Sequence, residues 1–361
     1  MTAKTNYQNL YTYRKCSVLT PDAQTAVFKL GQAIENGTNI SKKIFKFRDA
    51  LKTLPASSVP RASIEIREIA KFHKIYHQPV QTSGFLIKLV KPTLLDKLNS
   101  NPDLGWLLIF HGNGYVRQAA LEKLNNAPES EFEFSAIVYR LNDWVGNVRT
   151  AATQYAASFF PKTSSNIVGQ SSFFLLAQAQ VLNRWNQDEQ TLLEDTIYRP
   201  DVLKHIKDQF LSIRSGRVGH TFQQILRRSD FDTKLNELAH EAILPSVRAV
   251  AMDALLNNRA RWFVGYKKQW VDKVFGISRR SAEFGTRPID VQSDFETLLL
   301  NAASDKSAQV RKIAISAMIT RIKNASKTMD EVARKLQTDK NLSVRSRVDF
   351  YLRTRKTQRV I

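Results

Sequence analysis

The chain has 361 residues, and its hydrophobic fraction of 43% is enough for a continuous core. Its net charge is +21; residues 1–100 and 301–361 each carry an excess of ten positive charges, while residues 101–200 are slightly acidic. Self-repulsion of this size favours a polyanionic partner, first of all nucleic acid, with an anionic membrane surface or an acidic protein as the alternatives. The single Cys16 excludes an internal disulfide and a zinc site built from several cysteines.

Several kinds of segment are missing from the sequence. The first residues lack the apolar stretch of a signal peptide, and no run approaches the roughly 18 apolar residues that span a bilayer. These features predict an intracellular, cytoplasmic protein without a membrane partner, which would be associated with the nucleoid if it binds DNA. Alternating β-branched runs between tight turns are scarce, so an all-α fold is predicted.

The first clear helix signals lie near the N-terminus. Thr20-Pro21-Asp22 predicts a helix start, and Asn36-Gly37 predicts its end. In the next predicted helix, which begins at Ser41, lysines are interleaved with aromatic side chains. Its apolar positions would face inward, and its outward face would be either a solvated amphipathic surface or a phosphate-binding surface formed by Lys42, Lys43 and Lys46.

A proline-bounded break at 55–60 is followed by a predicted helix over 62–77. His73 and His77 in this helix stand four residues apart, a spacing that can hold a metal ion. No cysteine is near them, and few carboxylates could complete a ligand set. We therefore predict that the chain has neither a metal site nor a cofactor.

Two later stretches are dense in cations. The segment 209–229 has no acidic residue, and it contains Arg214, Arg217, Arg227 and Arg228. Such a run is either a solvated face or a functional patch. Residues 257–288 resemble an insertion in which aromatic residues are interleaved with cations, among them Lys267, Lys268, Arg279 and Arg280. This mixture suits contact with phosphates and unstacked bases, although Trp262 and Trp270 could instead belong to the core of one repeat.

A short phrase of valine, arginine, two residues and alanine recurs along the chain. It is clearest at Val310-Arg311, with Ala314, and it begins again at positions 116, 148, 247 and, in degraded form, 344. Looser copies contain Arg67 and Arg279. The copies are separated by about 32 residues or by multiples of that spacing, which indicates a stacked repeat.

The spacing also suggests roles for the polar residues of the phrase. Because their positions follow the repeat, a structural role is predicted for Arg117, Arg149, Arg248, Arg311 and Arg345. An aspartate stands six residues before three of these arginines, at Asp143, Asp305 and Asp339. In the turn before a helix, such an aspartate can cap free amides or meet an arginine of its own or an adjacent repeat.

The Asp-turn-Val-Arg phrase resembles the signature of the HEAT and HEAT-like family, in which it opens the second helix of each stacked pair. The resemblance covers residues 105–355 and, more weakly, 40–100. It implies an all-α fold, a right-handed α-solenoid of HEAT-like helical pairs with a period of about 32 residues. The predicted regions are a basic N-terminal helical region at 1–80, the solenoid at 81–352 and a basic C-terminal tail at 353–361.

One enzyme group of this architecture, the DNA alkylation-repair glycosylases of HEAT-like fold, holds duplex DNA in a basic concave face. Its catalytic cleft has an aspartate four residues after a tryptophan. Here only Trp185 is followed at that distance by a carboxylate, Glu189, with Asp188 beside it. Arg184 replaces the second tryptophan of the family's pair, so these candidate catalytic residues match the pattern only in part, and a binding protein is favoured over an enzyme.

The favoured hypothesis is a nucleic-acid-binding solenoid that contacts the phosphates of double-stranded DNA with its concave face and basic ends, with little base readout. The expected phosphate contacts are eleven lysines and arginines in three clusters: Lys42, Lys43 and Lys46; Arg214, Arg217, Arg227 and Arg228; and Lys267, Lys268, Arg279 and Arg280. One alternative is a scaffold or adaptor subunit that binds acidic proteins or RNA–protein particles. Another is a DNA glycosylase that removes alkylated bases.

Overall fold

The computed structural model describes residues 17–72, 93–178, 182 and 184–360. Most of these residues are helical, which confirms the predicted helical class. The chain divides into two compact units, Met1–Val202 and Leu203–Ile361. The boundary lies inside the range 81–352 that the repeat pattern assigned to one solenoid. His73 and His77 lie outside the described residues.

Unit 1 consists of helices joined by short turns. They are α1 (Pro21–Asn36), α2 (Ser41–Leu51), α3 (Val59–Ile69), α4 (Leu94–Ser100), α5 (Gly105–Leu108), α6 (Gly114–Lys123), α7 (Glu131–Leu141), α8 (Gly146–Phe159), α9 (Ser165–Gln178) and α10 (Gln187–Ile197). Short 3-10 helices lie at Ala56–Ser58, Pro102–Leu104 and Phe160–Lys162. The unit boundary falls within α11 (Pro200–Ser212).

Unit 2 combines helices with one pair of strands. Its elements are α12 (Val218–Ile225), α13 (Leu235–Glu241), α14 (Pro245–Asn257), β1 (Arg259–Asp272), β2 (Ile277–Pro288), α15 (Phe295–Ser304), α16 (Ala308–Thr320), α17 (Lys327–Leu336) and α18 (Leu342–Val360). Short 3-10 helices lie at Ser229–Lys234 and Ile322–Asn324. Helix α18 continues into the region predicted as a tail, where Arg355 Nη2 donates to the Ala325 carbonyl at 3.0 Å. Just before this region, Tyr351 is fully buried and donates to Asp330 at 2.9 Å.

Helix α1 shows how local sequence sets the ends of an element. Thr20 is the N-cap, and its Oγ1 accepts a hydrogen bond from the Ala23 N–H at 3.2 Å. Pro21 occupies the first turn, where its missing N–H costs no helical hydrogen bond. Gly37 ends the helix at φ +68°, a left-handed conformation that favours glycine. The predicted start and end of this helix are confirmed.

The repeated valine-arginine phrase lies on α6, α8, α14, α16 and α18. Its apolar residues face inward: Val310 and Ala314, one turn apart on α16, have no exposed surface. The small alanine side chain allows a neighbouring helix to come close. Helix α16 packs against both α14 and α18, and in unit 1 α6 packs against α8. The phrase therefore marks helices that contact one another from repeat to repeat.

The arginines of the phrase make the same two sets of contacts at three positions. Arg311 donates from Nε and Nη2 to the two carboxylate oxygens of Asp339, at 2.6 and 2.9 Å. Its Nη1 donates to the backbone carbonyls of Asp305 and Lys306, at 2.8 and 2.9 Å. Each arginine thus joins the turn before its own helix to the aspartate of the next repeat.

Two other copies of the phrase, at Arg117 and Arg248, follow this pattern. Arg117 pairs with Asp143 at 2.7 and 3.1 Å, and Arg248 pairs with Asp305 at 2.8 and 2.9 Å. Each aspartate also orders its turn by accepting a backbone N–H two residues later, as Asp143 does from Val145 at 3.0 Å. A planar guanidinium that holds a carboxylate with two parallel bonds is the stronger, more directional kind of ion pair.

The prediction of an all-α chain is wrong for residues 259–288, which form an antiparallel hairpin of β1 and β2. The loose phrase copy at Arg279 and Ala282 therefore lies on a strand and is not a repeat. The register runs from Arg259 opposite Pro288 to Asp272 opposite Ile277, with irregularities at two points along β1. Within the described residues this hairpin is the only sheet.

Candidate nucleic-acid interface

One ion pair, largely shielded from solvent, fixes the base of the hairpin. The carboxylate of the buried residue Asp232 accepts hydrogen bonds from Arg287 Nη1 at 2.8 Å and Nη2 at 2.6 Å. Arg287 also donates to the backbone carbonyls of Leu226 and Arg228, at 2.9 and 2.6 Å. Asp232 accepts a further bond from the Asp290 N–H at 3.0 Å. These bonds fix the hairpin where it leaves the helices.

Packing around the base differs between the two faces of the hairpin. On one face, α12 supplies Gln224, whose Nε2 donates to the Phe263 carbonyl at 2.9 Å, and His220, whose ring centroid is 6.0 Å from that of Phe263. On the other face, Trp262 lies over Gly285, its partner in the register. A Cβ at Gly285 would lie 2.4 Å from the Trp262 ring, so this crossing requires glycine.

Beyond its base, the hairpin is exposed on both faces. Lys268 stands opposite Arg280, and Gln269 stands opposite Arg279. Since successive strand residues point to opposite faces, Lys267 shares a face with Arg279 while Lys268 shares the other with Arg280. All four of these predicted contact residues are exposed, so the hairpin presents cations on both faces.

Cations and aromatic rings alternate along the face that carries Lys268. The Lys268 Nζ lies 3.8 Å from the ring centroid of Trp270, and the Arg261 guanidinium lies 3.7 Å from that of Phe284. Trp270 is 45% exposed, so the alternative prediction that it belongs to the core of a repeat is wrong. Cation–π contacts orient charged groups without neutralising them. The face therefore holds an ordered row of positive charge.

The hairpin also contains cations beyond the predicted contact set. Residues 259–288 have eight lysines and arginines against two carboxylates, Asp272 and Glu283. Arg259, Arg261 and Lys273 are exposed members of this group. They stand in the same interleaved stretch of sequence, so the composition of the whole segment, rather than any single pair, was the signal that identified them.

The four arginines of segment 209–229 lie near the ends of α12, the helix that supports the hairpin base. Arg214 and Arg217 are exposed in the segment before α12. Arg227 and Arg228 follow its end, and Arg228 Nε pairs with Asp230 at 3.2 Å. The structure thus brings these arginines and the four hairpin cations into one unit, with the charge of Arg228 partly balanced.

The third predicted cluster lies on α2, in unit 1. Lys42 and Lys46 are exposed, whereas Lys43 is half-buried and donates to Thr38 Oγ1 at 3.3 Å. The next cation on this helix, Arg48, is buried and donates to both carboxylate oxygens of Glu133, at 2.7 and 3.0 Å. Arg48 stabilises the interior of unit 1, and only the other side of α2 offers charge to solvent.

The candidate catalytic residues form the start of a helix. Glu189 is buried, and its carboxylate accepts the N–H of Asn186 at 3.0 Å in the capping box that opens α10. Asp188 is exposed in the same first turn, and Trp185 is half-buried. Carboxylates in the first turn of a helix stabilise its free amides and its dipole. Helix capping therefore accounts for the carboxylates that follow Trp185.

The described residues contain no group of three or more histidine, cysteine, aspartate or glutamate side chains that could hold a metal ion. Over the same residues, no helix is both long and apolar enough to cross a membrane. No protein-family model matches the chain, and no curated protein matches it significantly.

Proposed function

We propose that this protein binds nucleic acid, with duplex DNA as the favoured polymer, and that the hairpin 259–288 is its main contact. The observation that carries the proposal is an exposed two-stranded ribbon with cations on both faces. Two-stranded β-ribbons enter the major or the minor groove of DNA, and lysines and arginines bind the phosphates on either side. Contacts to phosphates carry no sequence information, so binding that is made mainly through them is expected to depend little on sequence.

We further infer that the helices form HEAT-like α-solenoids of right-handed superhelical sense. Two observations support this inference. Helices that carry the repeat phrase pack against one another, as α6 does against α8 and α16 does against α14 and α18, and arginine-aspartate pairs join successive copies at three places. The exposed cations near α12 in unit 2 and, separately, those on α2 in unit 1 would add phosphate contacts.

The test is equilibrium binding to a labelled duplex, a single strand and an RNA hairpin, measured by fluorescence anisotropy between about 50 and 300 mM salt. Four hairpin cations that each neutralise one phosphate give a slope of log affinity against log salt near −3.6, at about −0.9 per contact. Contacts from outside the hairpin would make the slope steeper. We expect the duplex to bind most tightly.

The decisive variant is Lys267→Glu/Lys268→Glu. It should weaken duplex binding at least about tenfold near 100 mM salt and reduce the slope by about 1.8. The control is Lys123→Glu/Lys204→Glu, which makes the same change in net charge at exposed positions outside the hairpin segment. Equal losses in both variants would mean that net charge alone drives binding. Weak, salt-insensitive binding to all three polymers would contradict the proposal and favour a scaffold that docks on acidic proteins.

A further inference from the structure

The far end of the hairpin has an ordered turn. Asp272 Oδ1 accepts the backbone N–H groups of Val274 and Phe275, at 2.8 and 3.1 Å. Gly276 follows at φ +66°, in the left-handed region that favours glycine. These features fix the backbone between Asp272 and Ile277, so the side chains at the tip are displayed by a defined turn.

Apart from the exposed Lys273, the side chains that follow Asp272 on this turn are apolar and stand in solvent. Val274 is 90% exposed and Phe275 is 79% exposed, and beside them Val271 and Ile277 are 62% and 54% exposed. Single exposed apolar residues are common, but a contiguous group on an ordered projection marks an interaction site. A compact apolar tip therefore stands at the end of a strongly basic ribbon.

The charges behind the tip suggest what it meets. Four cations lie two to six residues from the turn, and so within about 20 Å of it at roughly 3.3 Å per residue. They are Lys267, Lys268, Arg279 and Arg280. They lie on both faces of the ribbon. A groove of a nucleic-acid duplex has a phosphate wall on each side and stacked bases at its floor, which matches cations on both faces and an apolar end.

We propose that Val274 and Phe275 form a wedge that enters the base stack of duplex DNA and kinks it while the hairpin cations hold the two phosphate walls. This inference rests on the proposed DNA binding and adds a deformation to it. Proteins that bend DNA insert apolar side chains between base steps in this way. An anionic membrane is a poorer match, since a flat surface would meet the tip but leave cations on both faces of the ribbon unused.

The experiment measures binding and bending on the same DNA. A fragment of about 100 bp is shorter than the persistence length of roughly 150 bp, so its ends are rarely joined by ligase unless a protein bends it. The wild-type chain should raise ring closure by about tenfold or more. The variant Val274→Ser/Phe275→Ser keeps Asp272 and Gly276, so the turn is retained. Its affinity for the fragment should lie within about threefold of wild type, with an unchanged slope of log affinity against log salt. It should nevertheless lose the gain in ring closure.

Tyr115→Ser provides the control, because it removes an aromatic side chain that is 80% exposed on α6 in unit 1; its ring closure should equal that of wild type. If the wild-type chain binds the fragment without raising ring closure, or if the tip variant still raises it, the wedge is overturned and the proposed DNA binding stands. If the wild-type chain does not bind the fragment, both fail. If the tip variant binds DNA and bends it normally but loses binding to phosphatidylserine vesicles, the tip serves a membrane, which also overturns the wedge.

Discussion

The substitution Asp232→Asn tests how the hairpin is attached to the helices. It leaves the Arg287 guanidinium among backbone carbonyls without its carboxylate partner. Removing one partner of a buried ion pair costs about 3–5 kcal/mol. The Arg287 side chain is 17% exposed and Asp232 is 2% exposed, so water offsets part of the loss and we expect a cost of about 3 kcal/mol.

Hydrogen exchange of the β1 and β2 amides near the hairpin base measures this cost locally. A loss of about 3 kcal/mol increases the opening constant roughly 150-fold, and protection should fall by that factor. Asp230→Asn is the matched control, because the neighbouring Arg228–Asp230 pair is 38% exposed on each side. An exposed pair contributes about 0–1 kcal/mol, so exchange should change less than about sixfold. Similar exchange in the two variants would mean that this pair does not anchor the hairpin.

Two further predictions concern the helical units. Asp339→Asn removes the charged partner of Arg311, whose side chain is 15% exposed. In urea denaturation it should lower the free energy of unfolding of unit 2 by about 2–3 kcal/mol. The hydrogen bonds from Arg311 also lower the pKa of Asp339, so this stabilisation should be present at neutral pH and lost as acid protonates the carboxylate. Burial, with a smaller effect of the Arg117 charge, lowers the pKa of His111 to about 4 from 6.5. Unit 1 should therefore have its full stability above about pH 6.5 and lose up to about 3 kcal/mol as the pH falls to 4. In urea titrations, His111→Gln should flatten this part of the profile of stability against pH. An unchanged profile would mean that His111 does not cause this loss of stability.

Much of the helical frame could be predicted because its signals are local and periodic. The residues around Thr20 and Gly37 specify a helix whose ends lie where they were expected, and the valine-alanine spacing identified helices with buried inner faces. The partner of each repeat arginine could not be chosen from sequence. An aspartate six residues upstream and one in the next repeat were both within reach, and only the packing of successive helices selects the latter, as in Arg311 with Asp339.

The position of the hairpin within the repeats explains why the spacing of about 32 residues wrongly predicted a repeat at Arg279. Residues 259–288 are close to one repeat in length, so inserting them between α14 and α15 leaves the spacing of later copies nearly unchanged. Arg279, with Ala282 three residues later, then matched the phrase by chance. The contacts show the true neighbours: Arg248 pairs with Asp305, and α14 packs directly against α16, so these two repeats adjoin although the hairpin separates them in sequence.

The strands themselves were hidden for a physical reason. The alternation that identifies a strand arises when one face packs on a core and the other meets water. Beyond its base this hairpin packs neither face, so residues such as Lys267 and Lys268 place charge on both sides and remove the period of two. A two-stranded ribbon of this kind is only marginally stable alone, which explains why its base uses the buried Asp232 and the crossing of Trp262 over Gly285. Beyond the base, the cations and aromatic rings are exposed on both faces instead of being packed in a core. This exposure removed the alternating pattern by which a strand is predicted, and it also leaves both faces open to a ligand.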